Sequence, residues 1–173
     1  LQFPPSLRTL NVSYQPHNGV IPNPPLWNYS NPDILPRTLT SLTIRSYKQA
    51  LSRKFVSWIA KIPYREFSAL RTLSIDTWDW RDAPPTFESP DLEQKKIGRE
   101  ALKQVAELHN LESLTLLVQH FRPRHVKKLP ASLEMLSFVC YDGSMERVTA
   151  EHINYFPKSL KRFSFLGTSP QVD

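Results

Sequence analysis

Leu35-Pro36-Arg37-Thr38-Leu39-Thr40-Ser41-Leu42-Thr43-Ile44 is the stretch that decides how this chain folds. Counting from Leu39, apolar residues stand at offsets 0, 3 and 5, and the last two flank the polar Thr43. That alternation marks a short strand with one buried face. The spacing returns in Leu7, Leu10 and Val12, in Leu70, Leu73 and Ile75, and in Leu111, Leu114 and Leu116. It returns again in Leu133, Leu136 and Phe138, and in Leu160, Phe163 and Phe165. A further apolar residue leads each copy: Phe3, Leu35, Phe67, Leu108, Leu129 and Phe156. Offset 4 is always small and polar (Asn11, Thr43, Ser74, Thr115, Ser137, Ser164), which suits the wetter face of the same sheet.

Composition says how these strands connect. The 173 residues fall within the size of one domain, 1–173, and 40% hydrophobic with 22% charged residues is the balance of a globular chain rather than a disordered one. Sixteen prolines against four glycines supply rigid corners but little material for tight hairpins, with Asp142-Gly143 among the few dipeptides of hairpin type. Long crossovers between parallel strands are therefore expected.

Two crossovers carry a helical stripe. Leu51, Phe55, Ile59 and Ile62 recur on one helix face between the second and third strands. Asp91 and Gln94 can form a capping box, and Ile97, Ala101, Leu102, Val105 and Leu108 predict a helix over about 92–108. The crossover from Thr149 to Tyr155 is shorter, with Ile153 as its expected core contact. Pro16, Pro22, Pro24, Pro25 and Pro32 predict an extended loop over 15–34, pinned by Trp27.

These six segments resemble the leucine-rich-repeat family, whose signature is L-x-x-L-x-L-x-x-N, over essentially the whole chain. Two features depart from it. Offset 8 holds Gln15, Tyr47, Trp78, Gln119, Tyr141 and Thr168 instead of the family's asparagine, and the first leucines are 32, 31, 41, 22 and 27 residues apart. The pattern Leu/Phe-Pro-x-Ser/Thr-Leu-x-x-Leu resembles more narrowly the irregular repeats of fungal proteins, including F-box substrate receptors of ubiquitin ligases, and the FNIP-type repeats of amoebae. The resemblance implies an α/β solenoid, an open arc of about six parallel strands with helices and irregular loops on its convex side. It also implies binding on the concave face. No F-box helix bundle lies within these residues, and Leu1 in place of an initiator methionine makes the chain read as a fragment of a longer protein.

Little in the chain points to catalysis. The sequence has no G-x-S-x-G elbow and no glycine-rich phosphate loop. His17, His109, His120, His125 and His152 fall in no arrangement with metal-ligand spacing. No catalytic residue, cofactor, metal or small-molecule substrate is implied. Cys140 reads as a small core residue, and a single cysteine suits a reducing, intracellular compartment. The sequons at Asn11 and Asn28 point the other way on a pattern short enough to arise by chance. No run of 18 apolar residues spans a membrane.

A binding surface is the expectation that remains. Offset 1 carries Arg8, Thr40, Arg71, Glu112, Glu134 and Lys161; offset 6 carries Ser13, Arg45, Asp76, Leu117, Val139 and Leu166. The mixed charge and apolar strip suit a protein partner, with Arg45, Arg71, Asp76, Glu112, Leu117, Glu134 and Val139 at the centre and Trp80 as an aromatic anchor. A net charge of +6 also admits nucleic acid, but the basic clusters are not interleaved with aromatic residues as single-strand binding needs.

Overall fold

The structure is a computed structural model, and it describes residues 3–14, 34–46, 58–59, 61–76, 102–118, 126–140 and 150–167. Six strands form one sheet: β1 (Thr9–Tyr14), β2 (Ser41–Ser46), β3 (Thr72–Asp76), β4 (Ser113–Val118), β5 (Met135–Cys140) and β6 (Arg162–Gly167). Their spatial order is their chain order, β1-β2-β3-β4-β5-β6, and every neighbouring pair is parallel. Equivalent offsets pair without slip, so Leu10, Leu42, Leu73, Leu114, Leu136 and Phe163 form one continuous row.

A turn repeated ahead of every strand sets this register. The N–H of Leu7 donates to the carbonyl of Pro4 (3.0 Å), Leu39 to Pro36 (3.2 Å), Leu70 to Phe67 (2.9 Å), Leu111 to Leu108 (3.0 Å), Leu133 to Pro130 (3.2 Å) and Leu160 to Pro157 (3.0 Å). Proline suits the first position of this turn because only its carbonyl is used, and it has no N–H to leave unsatisfied. The third and fourth copies are one residue shorter, and there the leading Phe67 or Leu108 takes that position itself.

The sheet is then stitched outside the strands. The carbonyl of each offset-1 residue accepts two N–H groups from the next repeat: Arg8 from Thr40 and Ser41, Thr40 from Arg71 and Thr72, and so on to Glu134 from Lys161 and Arg162, all between 2.8 and 3.0 Å. A side-chain ladder runs beside it. The Thr38 hydroxyl donates to the carbonyls of Pro5 (2.7 Å) and Leu7 (3.0 Å), Ser132 to Leu111 (2.8 Å), and Ser159 to Ala131 (2.6 Å) and Leu133 (2.7 Å). Asn110 does the same with its amide, to Ser68 (2.9 Å), while the equivalent Ala69 has nothing to donate.

All apolar residues at offsets 0, 3 and 5 lie on one side. Leu39, Leu42, Ile44, Leu70, Leu73, Ile75, Leu111, Leu114, Leu116, Leu133, Leu136 and Phe138 are buried in one cluster. Trp58, Ile59, Ile62 and Tyr64 from the second crossover and Leu102, Val105 and Leu108 from the third join the same cluster. A strand order that never reverses keeps successive crossovers of one hand on one face. Each fully buried leucine or isoleucine stabilises this arrangement by about 1.5–3 kcal/mol before entropy is counted.

Two expectations about the crossovers change. Ile153 is 58% exposed and His152 is buried in its place. The helix Ala150–Asn154 is one short turn and a half, and His152 lies four residues before Phe156, which packs on the core. Successive helix residues point about 100° apart, so a helix that buries His152 turns Ile153 outward. The helix expected over 92–108 is seen at 102–105 and gives way to turns at 106–107. Leu108 leaves the helix because its carbonyl must close the turn with Leu111. Ile59 and Ile62 are buried as expected. The proline-rich interval with Trp27 and Asn28, Leu51, Phe55, Ile97, Ala101, Trp78, the loop histidines and Asp142-Gly143 lie outside the described residues, as does the side chain of Cys140.

Candidate partner-binding face

Opposite the core, the sheet shows its polar rows. Alternation sends offsets 2 and 4 to that side, and Ser41, Thr43, Thr72, Ser74, Ser113, Thr115 and Ser137 are half-buried there while Thr9, Asn11 and Ser164 are exposed. Small hydroxyl side chains form most of the floor, with Met135 and Arg162 as the large exceptions on β5 and β6. A shallow depression of about 620 Å³ opens over β4 to β6, lined by Ser113, Thr115, Met135, Ser137, Lys161 and Arg162 among others.

Offset 1 forms a charged rim where turn meets strand. Arg71 on the third repeat bonds Glu112 on the fourth, Nη1 to Oε1 at 2.5 Å. Lys161 on the sixth repeat bonds Glu134 on the fifth, Nζ to Oε1 at 2.8 Å. Arg8 turns its guanidinium to the Thr38 carbonyl (3.1 Å). Side-chain exposures of 63% and 46% in the first pair, and 69% and 43% in the second, leave all four groups in water's reach. Such pairs contribute about 1 kcal/mol at most. Their consequence is electrostatic: two of the cations on this rim are already matched by carboxylates.

The expected site residues are brought together only in part. Arg71, Glu112 and Glu134 share the rim, and Arg45 is exposed on β2 with its Cα paired to that of Asp76 on β3. Leu117 and Val139 are Cα partners on β4 and β5. The side chains of Asp76, Leu117 and Val139 lie outside the described residues, and so does the whole of Trp80. The hydroxyl ladder of Thr38, Ser132 and Ser159 escaped the sequence reading, although its signal was present in the repeated Pro-x-Ser/Thr-Leu. The depression beside Met135 and Arg162 escaped the sequence reading, because its shape depends on how the strands β4 to β6 stack.

Among the described residues no three His, Cys, Asp or Glu side chains gather to hold a metal ion. Tyr64, whose phenol burial pushes up, sits in the core on the other side of the sheet. No helix among the described residues is long and apolar enough to cross a membrane.

No family model, curated protein or solved structure matches this chain. The face must therefore be interpreted from its own chemistry.

Proposed function

We propose that the chain is a leucine-rich-repeat solenoid of one domain, working in a reducing compartment, that binds a partner protein on the open face of its sheet and catalyses nothing. One observation carries this reading: six in-register parallel strands bury one face and leave the other polar and accessible. Parallel sheets covered by helices on both sides are built from nearly continuous apolar runs, and these strands alternate instead. Repeat stacking explains the alternation, since each repeat buries its single apolar face against its neighbours and presents the rest as an extended surface.

The rim favours protein over nucleic acid. A phosphate backbone is held by several uncompensated cations, whereas Arg71 and Lys161 already face Glu112 and Glu134. Alternating charge over a hydroxyl floor suits a partner surface carrying both signs.

The test is to capture proteins from a lysate of the source cells on the immobilised chain, then repeat with Arg71→Glu and Ser137→Arg on the face and Glu107→Lys, exposed in the third crossover, as control. A partner lost with both face variants and retained by Glu107→Lys and after nuclease treatment is the expected result. A partner indifferent to the face variants, or released by nuclease, contradicts the reading.

A further inference from the structure

The polar rows of the open face are interrupted at one place. Offset 2 carries Thr9, Ser41, Thr72 and Ser113 on the first four strands and then Met135 and Arg162, while offset 4 stays small and polar throughout. Met135 is thus the one apolar residue in these two rows. It is half-buried, and it lines the depression of about 620 Å³ with Ser113, Thr115, Ser137, Lys161 and Arg162. Register sets Met135 between Ser113 and Arg162, and Ser137 between Thr115 and Ser164. Met135 and Ser137 belong to β5, which is paired on both sides, so the centre of the depression lies inside the sheet and not at its edge.

The depression offers three kinds of contact. A thioether is polarizable and packs well on an aromatic ring. A guanidinium stacks on the electron-rich face of the same ring, a charge complementarity that asks for no anion. Serine and threonine hydroxyls both donate and accept hydrogen bonds. Lys161, the other cation of the lining, already bonds Glu134 at 2.8 Å, so it sets no demand for a charged occupant.

We infer that this depression takes a tyrosine side chain of the partner protein, with its ring against Met135 and Arg162 and its hydroxyl among Ser113, Thr115 and Ser137. The inference rests on the reading of the open face as a protein-binding surface. Tyrosine joins a rigid apolar body to one polar tip, which is the pairing that this lining presents, and it is enriched among the residues that anchor protein interfaces. An aliphatic side chain meets Met135 alone, and phenylalanine leaves the hydroxyls under it without a partner.

The test is a carbon-13 spectrum of the methionine methyl groups of the 173-residue chain, which has two methionines. Met135→Leu assigns the Met135 signal by its loss. N-acetyl-tyrosinamide, added to about 20 mM, is expected to move that signal upfield and saturably, since the ring current acts on a methyl packed against the ring face. N-acetyl-phenylalaninamide is expected to bind several-fold more weakly, and N-acetyl-leucinamide to give no saturable shift. Ser137→Arg, which fills the floor, and Arg162→Gln, at an exposed side chain, are each expected to weaken binding roughly fivefold or more. The second variant keeps the test valid if the first folds poorly. No saturable shift, an equal shift from the leucine amide, or indifference to both variants overturns the inference. A mononucleotide that moves the signal at lower concentration than the tyrosine amide overturns the choice of a protein side chain. Partner capture that depends on Ser137 while the methyl signal stays in place overturns the tyrosine alone; a shifted signal with capture indifferent to the face overturns the reading on which it rests.

Discussion

Replacing Ala69 by serine gives the third repeat the hydroxyl that Thr38, Ser132 and Ser159 carry at the same position. Those hydroxyls reach carbonyls of the preceding repeat over 2.6 to 3.0 Å. The register places a serine at 69 against the carbonyls of Arg37 and Leu39, and Leu39 is fully buried. A buried carbonyl has little access to water, so a new donor there contributes about 0.5–1.5 kcal/mol net. For a chain of this length each kcal/mol raises Tm by about 2–4 °C, so Ala69→Ser gains about 1–6 °C. Ser159→Ala removes a hydroxyl whose single proton is shared between two carbonyls at a more exposed end, and costs about 0.5–1.5 kcal/mol. Urea unfolding followed by circular dichroism, with m-values checked for equality, measures both changes. An unchanged or lowered midpoint for Ala69→Ser, with Ser159→Ala equally silent, would refute the claim that these hydroxyls couple one repeat to the next.

Three further outcomes follow from the same structure. Phe138→Ala, at a fully buried site, costs about 3–5 kcal/mol, while the register-equivalent Phe165→Ala costs no more than about half of that because its ring is half-buried; equal costs would mean that β6 is covered as β5 is. Tyr64 donates its hydroxyl to the Ile59 carbonyl at 3.0 Å, and Tyr64→Phe leaves that carbonyl only the longer bond from the Ile62 N–H (3.3 Å), at a cost of about 0.5–1.5 kcal/mol in the same denaturation assay. Burial holds this phenol protonated above its ordinary value near 10, so its contribution is complete below about pH 10 and is lost as pH rises beyond it, when the unfolded chain releases the proton that the folded chain keeps; ionisation at 295 nm that exceeds that of Tyr64→Phe before unfolding would contradict it. Arg71→Glu sets two carboxylates together on an exposed rim, and is expected to change stability by less than about 1 kcal/mol while abolishing partner capture.

The strands were legible because their signal is local. Offsets 0, 3 and 5 are read within six residues, and every leucine so marked from Leu39 to Leu136 is buried in the common core. Parallel pairing followed from the scarcity of glycine, and the sheet bears it out. What escaped depends on contacts between repeats. Ile153 carries the right residue type for a core contact, but the length of its helix and the anchoring of Phe156 decide which side it faces, and neither is written in the spacing. The ion pairs of Arg71 with Glu112 and Glu134 with Lys161 join residues 41 and 27 positions apart, so only the register reveals that the mixed charges neutralise each other in pairs. Arg71, Glu112 and Glu134 fall in one row because they share an offset and the repeats stack without slip.

Distances across the open face test the central claim most directly, namely that six repeats stack in chain order behind one exposed polar row. With Cys140 replaced by serine, nitroxide pairs would be placed at Thr43 and Ser74, Thr43 and Ser137, and Asn11 and Ser164, all at offset 4. Neighbouring strands lie about 4.8 Å apart, so pulsed electron resonance should give backbone separations of roughly 5, 14 and 24 Å, allowing for label length. A separation that grows with each intervening strand is the predicted result. A distance from Asn11 to Ser164 shorter than that from Thr43 to Ser137 would contradict the stacking, and the proposed binding face would fall with it.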